Sequence, residues 1–147
     1  MAKKSTRTFL EFDKKSLPTY ELLKETMRGA EKASPSNLEA FLFAMAFGFR
    51  AGNRVKDIKK SGTGVRVEYF RPEHEVLMAA VQLATTGDSQ ELGDLDARYS
   101  IAEEFAEGGI RLLAQELAKV GDFNQTLASE LVPVARALEE TSQDDGD

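Results

Sequence analysis

The sequence predicts a mainly α chain of the α+β class, with about five helices and two short strands. Three observations predict it. Long segments repeat apolar residues every three or four positions, which puts them on one helical face. Two short segments alternate and are rich in Thr, Val and aromatic residues, as strands are. Ser, Pro and Gly stand at the boundaries, where helices start and stop. The opening order of strand, helix, helix matches the ribbon-helix-helix layout, in which two chains pair N-terminal strands into a ribbon that reads DNA in a groove.

"TRTFLEF" (Thr6–Phe12) is the first strand. "SLPTYELLKETMRGAEK" is the first helix: Ser16 is its expected cap, Pro18 suits a first turn, and Tyr20, Leu23 and Met27 form its apolar face. Gly29 weakens its end. "ASPSNLEAFLFAMAFGFRAG" starts again at Ser34–Pro35, with Ser36 and Glu39 spaced as a capping box and Gly52 as the stop. Leu38, Phe41, Leu42, Met45, Phe47 and Phe49 cover most of its surface, so it is expected to be the most buried helix. "GVRVEYFR" is the second strand, ended by Pro72, which opens "EHEVLMAAVQLATTG". "DSQELGDLD" is an acidic loop. "ARYSIAEEFAEGGIRLLAQELAK" is a long helix with Ile101, Phe105, Leu112, Leu113 and Leu117 on its apolar stripe. Asp122 caps a last helix, "FNQTLASELVPVARALEE", which Pro133 kinks or divides. The expected organisation is one domain over residues 1–140 and an acidic, frayed tail over 141–147.

Composition narrows the function. The chain has 147 residues, 41% apolar and 30% charged, which suits one globular core. No apolar run approaches the roughly 18–20 residues of a membrane span, and the N-terminus lacks the apolar core of a secretory signal, so a cytoplasmic location is expected. With no cysteine, thiolate metal sites and cysteine nucleophiles are excluded. The single histidine, His74, leaves little from which to build a triad or an imidazole metal cluster, and is expected to be an exposed first-turn residue. The expectation is a non-enzymatic protein without cofactor or metal.

The net charge of −6 is unevenly spread: residues 1–71 carry fifteen Lys or Arg against eight Asp or Glu, and residues 72–147 carry four against seventeen. Such a split suggests two faces with different partners, or two halves that meet each other; the plainer reading is that the acidic half keeps the protein soluble. "RAGNRVKDIKKSGTG" (Arg50–Gly64) concentrates five of the basic residues. Its glycines follow its lysines and precede a strand, the reverse of a phosphate-binding P-loop. Gly62 and Gly64 are therefore expected to form a flexible turn. The candidate phosphate contacts are Lys3, Lys4, Arg7, Arg50, Arg54, Lys56, Lys59, Lys60 and Arg66, which would position a nucleic-acid backbone rather than read bases. An exposed, solvated loop is the plainer alternative.

"EEFAEGGIRLL" places Gly108 and Gly109 mid-helix, at a cost of up to about 1 kcal/mol each against alanine. Either a partner contacts them or another part of the chain packs closely there. Glu103, Glu104 and Glu107 lack the Glu-x-x-His pattern of di-iron helices and are expected to form a solvated acidic face.

"FAMAFGFRAGNRVKDI", "GVRVEYF", "EVLMAAVQLATTGDSQEL" and "YSIAEEFAEGGIRLLAQEL", in that order, resemble a small bacterial family of accessory proteins from DNA phosphorothioation (Dnd-type) gene clusters. The resemblance covers residues 38–120, and "EEFAEGG" is its most specific part. It implies a role in a modification-restriction system that marks DNA with sulfur and restricts unmarked DNA, an antiviral defence. It transfers no catalytic residue, and the absence of cysteine argues independently against sulfur chemistry on this chain. The expectation is an accessory protein whose basic half contacts DNA backbone and whose acidic helical half contacts other proteins of the system. The alternatives are a protein-only adaptor, and a homodimeric ribbon-helix-helix regulator of the cluster.

Overall fold

A computed structural model provides the structure and describes residues 7–28 and 36–119. The chain divides into two compact units, Met1–Ala114 and Gln115–Asp147. The second is described only over 115–119, where Lys119 pairs with Glu116 at 3.4 Å. The rest of the fold concerns the first unit.

Strand β1 (Phe9–Asp13) runs into a 3-10 turn (Lys14–Ser16) and helix α1 (Leu17–Arg28). Helix α2 is Asn37–Ala51, strand β2 is Lys60–Arg66 and helix α3 is Pro72–Thr86. A 3-10 turn at Ser89–Gly93 leads into helix α4, residues 95–119. The class is mainly α, with four α-helices and one two-stranded antiparallel sheet among the described residues. Gly29, Ser34, Pro35 and the expected last helix lie outside the described residues.

Local chemistry explains the helix ends. Ser36 accepts the Glu39 N–H at 3.2 Å, and Gly52 closes α2 in the left-handed region at φ 70°. Pro72 opens α3, and Gly87 closes it at φ 69°. His74 is half-buried rather than exposed, and its Nδ1 accepts the Arg71 N–H at 3.0 Å, so it caps α3 from within the first turn.

Four more expectations are corrected. Ser16 does not cap α1. It is buried, and its hydroxyl donates to Glu107 at 2.7 Å, while Asp13 caps the preceding turn. β2 begins at Lys60, so "KSGTG" is strand rather than turn, and the chain from Val67 to Tyr69 is a 3-10 turn. Gly64 lets β1 approach, because the backbone of Leu10 and Glu11 lies where its Cβ would be, and the register then breaks between the Glu11–Gly64 and Asp13–Lys60 pairs, with Gly62 at φ 79° in the bulge. The most buried helix is α4, not α2. Ile101, Ala102 and every residue from Phe105 to Ile110 are buried, whereas Phe43 and Phe49 on α2 are 45% and 38% exposed. Finally, β1 pairs with β2 of its own chain, Phe9 against Arg66 and Leu10 against Val65. The Glu11 N–H goes to the Glu103 carboxylate at 2.7 Å. An intrachain pair thus replaces the ribbon that a ribbon-helix-helix dimer makes between copies.

The core gathers Leu10 and Phe12 of β1, Tyr20 and Leu23 of α1, Phe41 and Met45 of α2, Met78 of α3 and Ile110 of α4. Phe12 stacks on Tyr20 with centroids 3.8 Å apart. This core presents one end of the β1–β2 pair, with its lysines, to solvent.

Candidate nucleic-acid interface

The most organised charged feature is built on one buried carboxylate. Asp13 is 2% exposed. Its Oδ1 accepts the Lys15 N–H and its Oδ2 the Lys59 N–H, both at 2.9 Å. The Lys14 N–H donates to the Lys59 carbonyl at 3.0 Å, and Asp13 faces Lys60 in the strand register. Two dilysine segments, Lys14–Lys15 and Lys59–Lys60, are thereby tied together by their backbones. All four lysines are exposed, and no acidic side chain pairs with them among the described residues. Burial pushes the Asp13 carboxyl up, but the Lys59 and Lys15 N–H donors and the positive charges of Arg111 and Lys15 outweigh it, so its pKa is lowered from 3.8. The aspartate therefore stays charged beneath the lysines.

Lys59 and Lys60 are candidates by sequence; Lys14 and Lys15 are not. The repeated Lys-Lys dipeptide is the available signal, but only the antiparallel pairing of β1 with β2 makes the two copies neighbours.

The structure sorts the other candidate cations into two kinds. Arg7 forms a 2.6 Å ion pair with Glu103 and donates to Ser100 at 3.1 Å. Arg54 binds Glu104 at 3.0 Å and lies over the Phe105 ring, 5.7 Å from its centroid. Both arginines hold the fold together. Arg50 and Lys56 are exposed without an acidic partner among the described residues, and Arg66 makes only a 3.5 Å surface contact with Glu68. Lys3 and Lys4 lie outside the described residues.

The basic stretch after α2 divides accordingly. Its first half is a strap on α4: Asn53 donates to the Gly108 carbonyl at 2.9 Å, and the Val55 N–H donates to the Glu104 carbonyl at 3.0 Å. Its second half, from Lys56 to Lys60, carries the exposed lysines.

"EEFAEGG" is the receiving surface for that strap, and its acidic residues are not a solvated face. Glu103 and Glu104 have side chains only 11% and 14% exposed, each engaged as above. Glu107 is 2% exposed and accepts from Ser16 at 2.7 Å and from Arg111 at 2.8 Å. Burial, aided by the nearby Asp13 charge, raises the Glu107 pKa above 4.5 despite the Arg111 and Ser16 donors. Gly108 and Gly109, the candidate partner contacts, are buried against the chain's own backbone. A Cβ on Gly108 would overlap the Asn53 carbonyl, and one on Gly109 would overlap the Ala44 carbonyl and come within 2.7 Å of the Gly48 nitrogen. Gly48 answers from α2, where a Cβ would collide with the Phe105 carbonyl. The two glycines thus serve close helix–helix and helix–strap approach.

A second buried polar cluster anchors α3. Gln82 is fully buried; it donates to the Glu91 and Asp94 carbonyls at 2.7 and 3.0 Å and accepts from Arg98 at 3.0 Å. Arg98 pairs with Glu75 at 2.9 Å, and the Tyr99 hydroxyl donates to Glu75 at 2.6 Å. These groups are mutually satisfied and have a structural role. Among the described residues no group of three or more His, Asp or Glu side chains is placed to hold a metal ion, and no helix is long and apolar enough to cross a membrane.

The outer face of α3 is different. Val76, Leu77 and Leu83 are 68%, 40% and 40% exposed, with Ala80 and Ala84 also exposed between and beside them. The spacing makes one apolar stripe. Exposed Glu73 and Asp88 stand at its two ends.

A family model described as DNA sulphur modification system-associated protein 4 matches residues 19–146. No curated protein and no solved structure matches the chain.

Proposed function

The chain belongs to the DNA sulphur modification system-associated protein 4 family, and from that premise we propose that it serves the system without catalysis, by gripping DNA backbone. The grip is the four-lysine corner of Lys14, Lys15, Lys59 and Lys60, widened by Arg50, Lys56 and Arg66. The observation that carries the reading is the Asp13 tie, which holds two dilysines side by side on rigid backbone in a chain that is acidic as a whole. Unpaired cations so placed release counterions when they meet phosphate. They contact phosphate rather than base edges, so sequence preference is weak.

The partner side is the outer face of α3. Its apolar stripe with acidic ends suits another protein of the system that offers apolar side chains and a basic rim. The carboxylates of "EEFAEGG" are engaged within the chain, so this stripe takes the place of the acidic helix face as the docking surface. Pairing of β1 with β2 removes support for the ribbon-helix-helix regulator.

A mobility-shift titration with duplex DNA tests the DNA reading. The unmodified protein is expected to shift duplex at low salt, and Lys59→Glu/Lys60→Glu to lose most of that affinity. No shift at low salt, or an unchanged shift in the variant, contradicts the reading.

A further inference from the structure

One aromatic side chain is held out of the core on a rigid mount. Tyr69 is 60% exposed. It ends the 3-10 turn Val67–Tyr69, which is closed by a 3.0 Å bond from the Phe70 N–H to the Val67 carbonyl. The next ring, Phe70, packs on buried Tyr99 with centroids 5.8 Å apart and meets His74 edge-on at 6.5 Å. The turn is thus pinned from behind, and Tyr69 faces outward.

Tyr69 borders a groove of about 350 Å³, lined among the described residues by Phe9, Asn37, Leu38, Val65 and Arg66. The floor is apolar, and the rim is polar and cationic. Arg66 is exposed, with only a long contact to Glu68, and Arg71, on the other side of Tyr69, is exposed too. On that side Arg71 and Tyr69 border a second concavity with Ser36, Glu39 and His74, so among the described residues Arg71 is its one fixed cation, beside one acid. A flat aromatic face between two arginines, beside an apolar slot, matches an unstacked nucleobase with phosphates on either side. Duplex DNA cannot use such a slot, because its bases are already stacked on each other.

We propose that Tyr69 and its groove bind one nucleobase of single-stranded DNA, with Arg66 and Arg71 on the flanking phosphates. The proposal rests on the DNA reading above, and it adds a strand state to it. β2 connects the two sites: Arg66 and Lys60 pair with Phe9 and Asp13, four residues apart on β1 and so about 14 Å along the strand, and one strand leaving the Tyr69 slot can reach the lysine corner.

Tyrosine fluorescence tests the proposal. The chain has three tyrosines and no tryptophan. Tyr20 and Tyr99 are each 2% exposed, so only Tyr69 is accessible to a stacking base. Titration with a single-stranded 12-mer is expected to quench tyrosine emission, and a duplex of the same length to leave it unchanged. Tyr69→Phe is expected to keep single-strand affinity and lose the quench. Tyr69→Ala is expected to lose affinity for the single strand by about tenfold or more and to keep its duplex affinity. Unquenched emission on saturating single strand, or wild-type single-strand affinity in Tyr69→Ala, overturns the proposal. Loss of duplex binding in Lys59→Glu/Lys60→Glu alongside either of those results leaves the backbone grip standing and the base slot refuted. Absence of binding to both nucleic acids refutes both.

Discussion

The buried carboxylate of Asp13 accepts the backbone N–H of Lys59 at 2.9 Å, across 46 positions of sequence. Its other oxygen takes the Lys15 N–H. One side chain therefore fixes where four lysines sit, and it does so through backbone, leaving the ammonium groups without an ion-pair partner among the described residues.

Asp13→Asn turns one of those acceptors into a donor that faces an N–H. The buried mismatch is expected to cost about 1–3 kcal/mol in chemical denaturation. Duplex affinity is expected to fall with it, although no lysine has been changed. Wild-type affinity in a folded Asp13→Asn protein would show that the tie does not organise the corner.

The two buried carboxylates respond to acid in opposite directions. The folded Asp13 carboxyl titrates below its ordinary 3.8, so its stabilising contribution is present above that value and lost as pH falls through the folded pKa. The folded Glu107 carboxyl titrates above its ordinary 4.5, so the folded state holds that proton more tightly. Stability at this residue therefore declines as pH rises from 4.5 through the folded pKa. Denaturation midpoints across pH 3 to 8 are expected to lose the upper limb in Glu107→Gln and the lower limb in Asp13→Asn. The weakened pairing with Arg111 adds a constant offset to the glutamine variant and does not disturb the slope.

Gly109→Ala puts a methyl group on the Ala44 carbonyl, and Gly48→Ala puts one on the Phe105 carbonyl. Each is expected to destabilise by about 3 kcal/mol, since backbone and not a mobile side chain must move. Both changes force the same two helices apart, so the double variant is expected to cost less than the sum. Additive losses would mean that the glycines act independently.

Sequence features that act over a few residues are legible. Ser36, Gly52, Pro72 and Gly87 mark helix ends by local chemistry, and each does so in the structure. What stays hidden is long-range. Glu103, Glu104 and Glu107 look solvated in a helical pattern because their partners Arg7, Arg54 and Ser16 lie 50 or more positions away. The polar "KSGTG" looks like a turn because nothing local shows that β1 will lie against Gly64. For the same reason Lys14 and Lys15 do not stand out, and Arg7 and Arg54 read as phosphate contacts although both are engaged in ion pairs. Even the buried status of α4 depends on the strap and β1 covering it.

Val76→Asp with Leu83→Asp changes only the exposed stripe of α3. The protein is expected to stay folded, at a cost of about 1–2 kcal/mol from helix propensity and from the negative charge placed in the last turn of α3. When the chain is co-expressed with the other proteins of the system, the unmodified chain is expected to co-purify with one of them and the double variant to lose it. Retained co-purification would place the partner surface elsewhere.

The salt dependence of duplex binding tests the central claim most directly. Fluorescence anisotropy at several salt concentrations gives a log–log slope that steepens by about 0.9 for each phosphate neutralised. Replacing Lys14, Lys15, Lys59 and Lys60 with glutamine is expected to flatten that slope by about 0.9 for each phosphate that is no longer neutralised. Arg54→Gln, which breaks the Glu104 pair instead, is expected to lower stability and leave the slope unchanged. An unchanged slope in the four-lysine variant, or an equal flattening in Arg54→Gln, would contradict the claim that the Asp13-tied lysines are the phosphate grip.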